Sequence, residues 1–122
     1  MPSVTLFEND PNVASYPKGH QFFAVGDPGD VMYVVIDGEV ELELRGQKLE
    51  AVGHGGFFGE MALLDHKPRS ANASAKTDCR VVPLDQRRFL YLIQNTPFFA
   101  IEVMTVMSDR LRHTDDMLNR QG

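Results

Sequence analysis

The chain has 122 residues, of which 43% are hydrophobic and 24% are charged, a composition typical of one soluble globular domain. Its 12 basic and 17 acidic residues give a formal net charge of −5, which argues against a DNA-binding surface because such a surface needs excess cations. A single cysteine, Cys79, excludes an internal disulfide framework and a multi-cysteine zinc or iron–sulfur site. No apolar run approaches the ~18 residues of a membrane-spanning helix, and the N-terminus lacks a signal-peptide pattern, so we expect a cytoplasmic, reduced protein.

The first two thirds of the chain are rich in turns, and nine of the ten glycines lie between Gly19 and Gly59. Residues 2–14 are weakly patterned and are expected to form a loose lead-in. Short apolar or alternating segments follow between the turns, as expected for strands. These predicted strands cover residues 22–25, 31–36, 39–45, 49–52, 70–77 and 80–84. Such a series predicts a small antiparallel barrel or jelly roll.

The last third of the chain is predicted to be helical because no glycine or proline occurs from residue 98 to 121. Asp85 is a good N-cap for a first helix at about 85–95, and Thr96-Pro97 starts a second at about 97–119. The second helix has apolar side chains at steps of four and three, which is typical of a coiled-coil seam. This stripe consists of Ala100, Met104, Met107, Leu111, Thr114 and Leu118. We expect a homodimer through this helix; the alternative is a helix that packs only on its own barrel.

Residues 53–71 carry the chemistry of the chain. Four glycines in seven positions lead into a short helix predicted at 60–64, and the free amides of such a turn form an anion site. Arg69 adds a planar cation suited to phosphate, and Ser70 adds a hydroxyl donor. Glu60 would repel a phosphate but would accept a hydrogen bond from a ribose hydroxyl. The combination indicates a nucleotide ligand.

Two segments closely resemble the phosphate-binding cassette of cyclic nucleotide-binding domains: Phe58-Gly59-Glu60-Met61-Ala62-Leu63-Leu64 and Pro68-Arg69-Ser70-Ala71. The resemblance extends from about residue 16 to 118. It implies an α+β, mainly β fold, in which an eight-stranded antiparallel β-roll at about 16–84 is followed by hinge and lid helices. We therefore expect residues 1–122 to form a single cyclic nucleotide-binding domain.

The resemblance also implies roles for individual cassette residues. The Gly59 amide and the Arg69 side chain would hold the cyclic phosphate, and Ser70 with the Ala71 amide would complete its shell. Glu60 would accept a hydrogen bond from the ribose 2′-OH.

The base would meet residues outside the cassette. Leu42 and Leu49 would flank it, and Thr114 on the last helix matches a threonine that contacts the adenine amino group in the family. The neighbouring Asp115 departs from the family pattern and would also accept from guanine donors. The expected ligand is cAMP in preference to cGMP.

The function expected from these features is a cyclic nucleotide sensor without catalytic activity, cofactor or metal, which passes its signal to an unidentified effector protein. The chain alone would bind neither nucleic acid nor membrane. One alternative is the sensory fragment of a Crp/Fnr-type transcription regulator; because both ends of the pattern are present, a free-standing domain is favoured. A second alternative is a small metal-dependent β-barrel enzyme, although its metal ligands are lacking in the sequence. For Arg69 the alternative role is a surface salt bridge with Asp65 or Glu60.

Overall fold

The computed structural model describes the backbone of residues 6–121 and the side chains of residues 6–112. The described residues fall into two compact units, the first ending at Arg88 and the second beginning at Phe89. That the whole chain forms one domain stays a prediction.

The first unit is built from two antiparallel sheets of four strands each. The first sheet has the order β1-β8-β3-β6, with β1 at Ala14–Tyr16, β3 at Val31–Asp37, β6 at Phe57–Phe58 and β8 at Cys79–Asp85. The second has the order β2-β7-β4-β5, with β2 at Gln21–Phe23, β4 at Val40–Leu44, β5 at Gln47–Val52 and β7 at Asn72–Ala75. The predicted eight-stranded antiparallel β-roll is confirmed.

The core of this unit lies between the two sheets because both contribute fully buried side chains to one cluster. The cluster contains Val35, Val40, Val52, Phe58, Ala73, Ala75, Cys79 and Val81. Burial raises the pKa of the Cys79 thiol above its usual value, so this side chain packs as a small neutral hydrophobe.

Several strand bounds differ from the sequence prediction, and β6 is absent from it; three of these differences have a local physical reason. Strand β1 lies at the end of the expected lead-in because it pairs with the distant β8, with Ala14 opposite Val81. Strand β2 ends at Phe23 because the Asp27 carboxylate accepts a hydrogen bond from the Ala24 amide at 2.9 Å and turns the chain. Strand β7 is limited to Asn72–Ala75, since the residues on either side form bends.

The N-terminal segment is attached to the end of the first unit by a buried carboxylate. Asp10 accepts a hydrogen bond from the Arg88 guanidinium, which also lies 5.6 Å from the centre of the Phe7 ring. This hydrogen bond is the main reason that the pKa of Asp10 lies below its ordinary value. The segment before β1 is therefore held by a specific contact.

Two helices follow the strands: α2 at Gln86–Asn95 and α3 at Pro97–Gln121. The Asp85 carboxylate accepts a hydrogen bond from the Arg88 amide at 2.8 Å, as expected of an N-cap. Within the second unit, the rings of Phe89 and Phe99 are 6.0 Å apart. Among the described residues no single helix is both long and apolar enough to span a membrane; α2 and α3 pass that test only together, as a pair bent by 118°.

Candidate ligand-binding site

The turn between β6 and the short helix α1 depends on a left-handed glycine. Gly59 has φ of +81° and precedes α1, which covers Glu60–Asp65 and confirms the predicted helix. A Cβ atom at Gly59 would lie 2.8 Å from Nη1 of Arg69. Glycine is therefore required here both by the backbone conformation and by the closeness of Arg69.

Arg69 is buried, with 5% of its surface exposed, and backbone carbonyls accept two of its hydrogen bonds. Nη1 donates to the Gly59 carbonyl at 2.9 Å, and Nη2 donates to the Val31 carbonyl at 2.8 Å. The guanidinium carbon also lies 4.1 Å from the centre of the Phe23 ring. The surface salt bridge considered as an alternative for Arg69 does not describe this buried arrangement.

One nitrogen of Arg69, Nε, has no hydrogen-bond partner among the described residues. The Nε–H group is buried, yet it forms no hydrogen bond with any of the described residues. A buried donor that lacks an acceptor costs free energy, about 1–3 kcal/mol or more when the group is charged. An anionic ligand atom placed at Nε would remove this cost, so the donor set fits a phosphate oxygen.

The electrostatic surroundings of Arg69 are mixed. Burial lowers the pKa of its guanidinium, and the nearby Tyr33, Asp30, Asp27 and Glu60 oppose that shift. A guanidinium is protonated at every pH relevant to proteins, so the group stays cationic. The site therefore combines one buried cation with several carboxylates, an arrangement that suits a ligand with both an anionic group and hydroxyl donors.

The backbone of Arg69 is fixed as firmly as its side chain. Its amide donates to the Asp27 carbonyl and its carbonyl accepts from the Gly26 amide, both at 2.8 Å. These two bonds attach the cassette to the loop between β2 and β3. A Cβ atom on Gly29, in the same loop, would lie only 2.2 Å from Nε of Arg69.

The structure brings some of the predicted ligand residues together. Gly59 and Arg69 are in direct contact, and Glu60, at the first position of α1, is 2% exposed and close enough to act on the charge of Arg69. Ser70 is exposed and Ala71 is half-buried in the bend that leads to β7. Their roles toward a ligand stay predictions.

The residues predicted to meet the base are more dispersed. Leu42 in β4 is half-buried against the core cluster, and Leu49 in β5 lies where the pairing with β4 shifts register. Thr114 and Asp115 belong to α3, but their side chains lie outside the described residues. Among residues 6–112, no group of three or more His, Cys, Asp or Glu side chains is placed to hold a metal ion.

Sequence reasoning missed three residues that surround Arg69: Phe23, Gly29 and Val31. Gly26 and Gly29 belong to the glycine-rich, turn-forming part of the sequence, but nothing in its composition indicates contact with residue 69. A close approach between a glycine and a buried arginine from a distant segment is visible only in three dimensions.

Comparisons with known proteins agree with this geometry. The family model described as the cyclic nucleotide-binding domain matches residues 13–96. The chain is 39% identical over 105 residues to the cyclic AMP receptor protein of Thermus thermophilus, covering 82% of this chain and 49% of that protein. It is 32% identical over 108 residues to the CRP-like cAMP-activated global transcriptional regulator of Mycobacterium tuberculosis, covering 84% of this chain and 48% of that protein. The chain thus spans about half the length of these relatives.

A solved structure extends the similarity to the whole fold. The crystal structure of the Thermus thermophilus catabolite activator protein aligns with a TM-score of 0.80 at 35% identity, covering 98% of this chain and 59% of that one.

Proposed function

Since this chain belongs to the cyclic nucleotide-binding domain family, we propose that it is a cytoplasmic sensor that binds a 3′,5′-cyclic purine nucleotide, cAMP in preference to cGMP. The nucleotide is its only small-molecule ligand, with no cofactor or metal, and binding is not followed by hydrolysis. The signal passes to an effector protein whose identity is open.

The observation that carries the proposal is the buried Nε–H of Arg69, which lacks an acceptor among the described residues. Two other N–H groups of this side chain donate to carbonyls from different elements, so the guanidinium is held in place before any ligand arrives. A preorganised cation avoids the cost of ordering a long side chain on binding. In the proposed complex, the cyclic phosphate accepts from Arg69, from the hydroxyl of Ser70 and from the amides of Gly59 and Ala71.

Glu60 supports a nucleotide rather than a simple phosphate. Its carboxylate is buried beside the same cation, where it would weaken the binding of an inorganic anion. A ribose 2′-OH can donate a hydrogen bond to this carboxylate. The proposal therefore assigns phosphate recognition to Arg69 and ribose recognition to Glu60.

The base contacts form the finer part of the proposal. Leu42 and Leu49 pack beside the base. Thr114 and Asp115 on α3 form hydrogen bonds with the polar groups at its edge. The same helix forms a homodimer seam through the exposed Met104 and Leu111, 60% and 65% of whose surfaces are open.

Titration calorimetry with cAMP and cGMP on protein freed of bound nucleotide tests the proposal. We expect micromolar or tighter binding of at least one nucleotide; no heat from either would refute it. Glu60→Gln should weaken cAMP binding but leave the affinity for 2′-deoxy-cAMP unchanged. An equal loss for both ligands would contradict the ribose assignment.

A second candidate function is the sensory part of a transcription regulator. It is favoured by the identity to two cyclic AMP-responsive regulators, of which this chain spans about half. Both candidates require the same nucleotide site. They differ in the effector. Sequencing the reading frame on both sides of these 122 codons distinguishes them, because a transcription regulator would also encode a DNA-binding domain.

A further inference from the structure

Phe23 lies against the guanidinium of Arg69 from a different strand. The guanidinium carbon is 4.1 Å from the centre of the Phe23 ring, a distance at which a cation is attracted to the ring face. Arg69 is 5% exposed, so water screens this attraction little. The contact occurs at the one charged side chain that the proposed function assigns to phosphate binding.

The Phe23 ring is itself held by the core. Its centre lies 6.0 Å from the Phe58 ring and 6.4 Å from the Tyr33 ring, and Phe58 is fully buried in the core cluster. The position of the Phe23 ring is therefore determined by the packing of the sheets. Because the Phe23 ring lies against the guanidinium of Arg69, the packing of the core also limits the position of that guanidinium.

The backbone completes the same arrangement. The carbonyls of Gly59 and Val31 accept from two nitrogens of Arg69, which orients the guanidinium. Gly29 lies so close that any Cβ there would overlap Nε at 2.2 Å. With these contacts in place, Nε is the one nitrogen of this guanidinium without a hydrogen-bond partner among the described residues.

We infer that Phe23 is a positioning residue for the nucleotide site: its ring holds the Arg69 guanidinium so that the Nε–H is presented to the ligand phosphate. This inference rests on the proposed function, because it assigns Phe23 a role at that same site. Phe23 does not touch the ligand; it acts through Arg69.

The neighbouring Phe22 provides a matched control. It is also a half-buried phenylalanine of β2, and its ring also contacts Tyr33 and Phe58, at 5.5 Å and 5.3 Å between centres. Its remaining aromatic contacts are with Tyr16 and His20 rather than with Arg69. Loss of either ring loosens the same part of the core, but only the loss of Phe23 removes the contact with the guanidinium.

The experiment measures cAMP affinity by calorimetry for the full chain and for Phe23→Leu, Phe22→Leu and Phe23→Tyr, each first shown to be folded. We expect Phe23→Leu to weaken binding about tenfold, which corresponds to about 1.4 kcal/mol, within the range of a desolvated cation–π contact. Phe22→Leu and Phe23→Tyr should stay within about twofold of the unchanged chain, because both retain an aromatic ring on Arg69. Unchanged affinity in Phe23→Leu, or an equal loss in Phe22→Leu, would overturn the inference.

A second measurement separates this inference from the proposed function. Urea unfolding of the ligand-free protein is measured for Phe23→Leu, Arg69→Ala and the double variant. We expect the two substitutions to be non-additive, because each removes the same contact. If the unchanged chain binds no cyclic nucleotide, the proposed function fails and Phe23 loses its role at the site. If the chain binds but the two substitutions are strictly additive, only the role of Phe23 is refuted.

Discussion

Replacing Gly29 by alanine should displace the Arg69 guanidinium without removing it from the protein. The added Cβ would lie 2.2 Å from Nε and 2.5 Å from Cζ of Arg69, far inside any contact distance. The backbone of Gly29 does not require glycine, since its φ is not among the positive values. The substitution therefore acts on the side chain of Arg69 and not through backbone strain.

The expected loss of stability follows from the contacts that the guanidinium gives up. It donates one hydrogen bond to the Gly59 carbonyl and one to the Val31 carbonyl. Hydrogen bonds of a charged donor contribute about 1.5–3 kcal/mol each. Renewed hydration of the displaced group and the lower entropy of an unfolded alanine, about 0.4–1 kcal/mol, offset part of this. We expect the free energy of unfolding to fall by about 2–4 kcal/mol.

Urea unfolding and cAMP titration of Gly29→Ala, with Gly53→Ala as a control, measure this effect. Gly53 also has no positive φ, but a Cβ there would meet no heavy atom within 4 Å. We expect Gly53→Ala to change stability by less than about 1 kcal/mol. Gly29→Ala should also bind cAMP at least about tenfold more weakly, because the loss of one charged hydrogen bond reaches that size. Equal unfolding midpoints and equal affinities in the two variants would show that Arg69 is not held as described.

Four further predictions concern Arg69, Asp10, Thr114 and the homodimer. Arg69→Ala should weaken nucleotide binding by at least ~2 kcal/mol, as measured by calorimetry. It should also lower the urea midpoint of unfolding of the ligand-free protein, since the side chain is buried. An unchanged Kd would show that Arg69 does not bind the nucleotide. Asp10→Asn should make the free energy of unfolding depend less on pH below about 4. The pKa of Asp10 is lowered in the fold, so the stabilisation by its carboxylate is complete above the unfolded pKa of about 4 and is lost as the pH falls through the folded pKa. Parallel profiles for both proteins in urea unfolding would disprove this contribution. Thr114→Val should weaken cAMP binding, because it removes the hydroxyl proposed to contact the base. Sedimentation with and without cAMP tests the homodimer separately, and a strict monomer at high concentration in both states would rule it out.

The cassette could be predicted from sequence because its signals are local. Gly59, Glu60 and the following apolar residues form a turn and a short helix whose residues are neighbours in the chain, and the helix is found at Glu60–Asp65. A small antiparallel barrel or jelly roll could also be predicted from alternation and turn residues. Strand β1 could not be predicted, because its three residues become a strand only by pairing with β8.

The burial of Arg69 could not be predicted for a similar reason. Two of its contacts, Phe23 in β2 and Val31 in β3, come from strands far before it in the chain, and only Gly59, ten residues away, is near in sequence. An arginine after a proline is typical of a solvent-exposed loop, and its sequence neighbours suggested only Asp65 or Glu60 as partners. The fold instead surrounds it with an aromatic ring and carbonyl oxygens.

Tyr33 is close enough to Arg69 for the charge of the guanidinium to act on its phenol. The chain has no tryptophan and three tyrosines, so its near-ultraviolet signal comes mainly from Tyr16, Tyr33 and Tyr91. Burial raises the pKa of the Tyr33 phenol, while the positive charge of Arg69 opposes that rise. An anion bound at Arg69 would cancel part of this opposition and move tyrosinate formation to higher pH. An alkaline titration of tyrosinate absorbance, with and without nucleotide, therefore offers a label-free test of whether an anion binds near Tyr33.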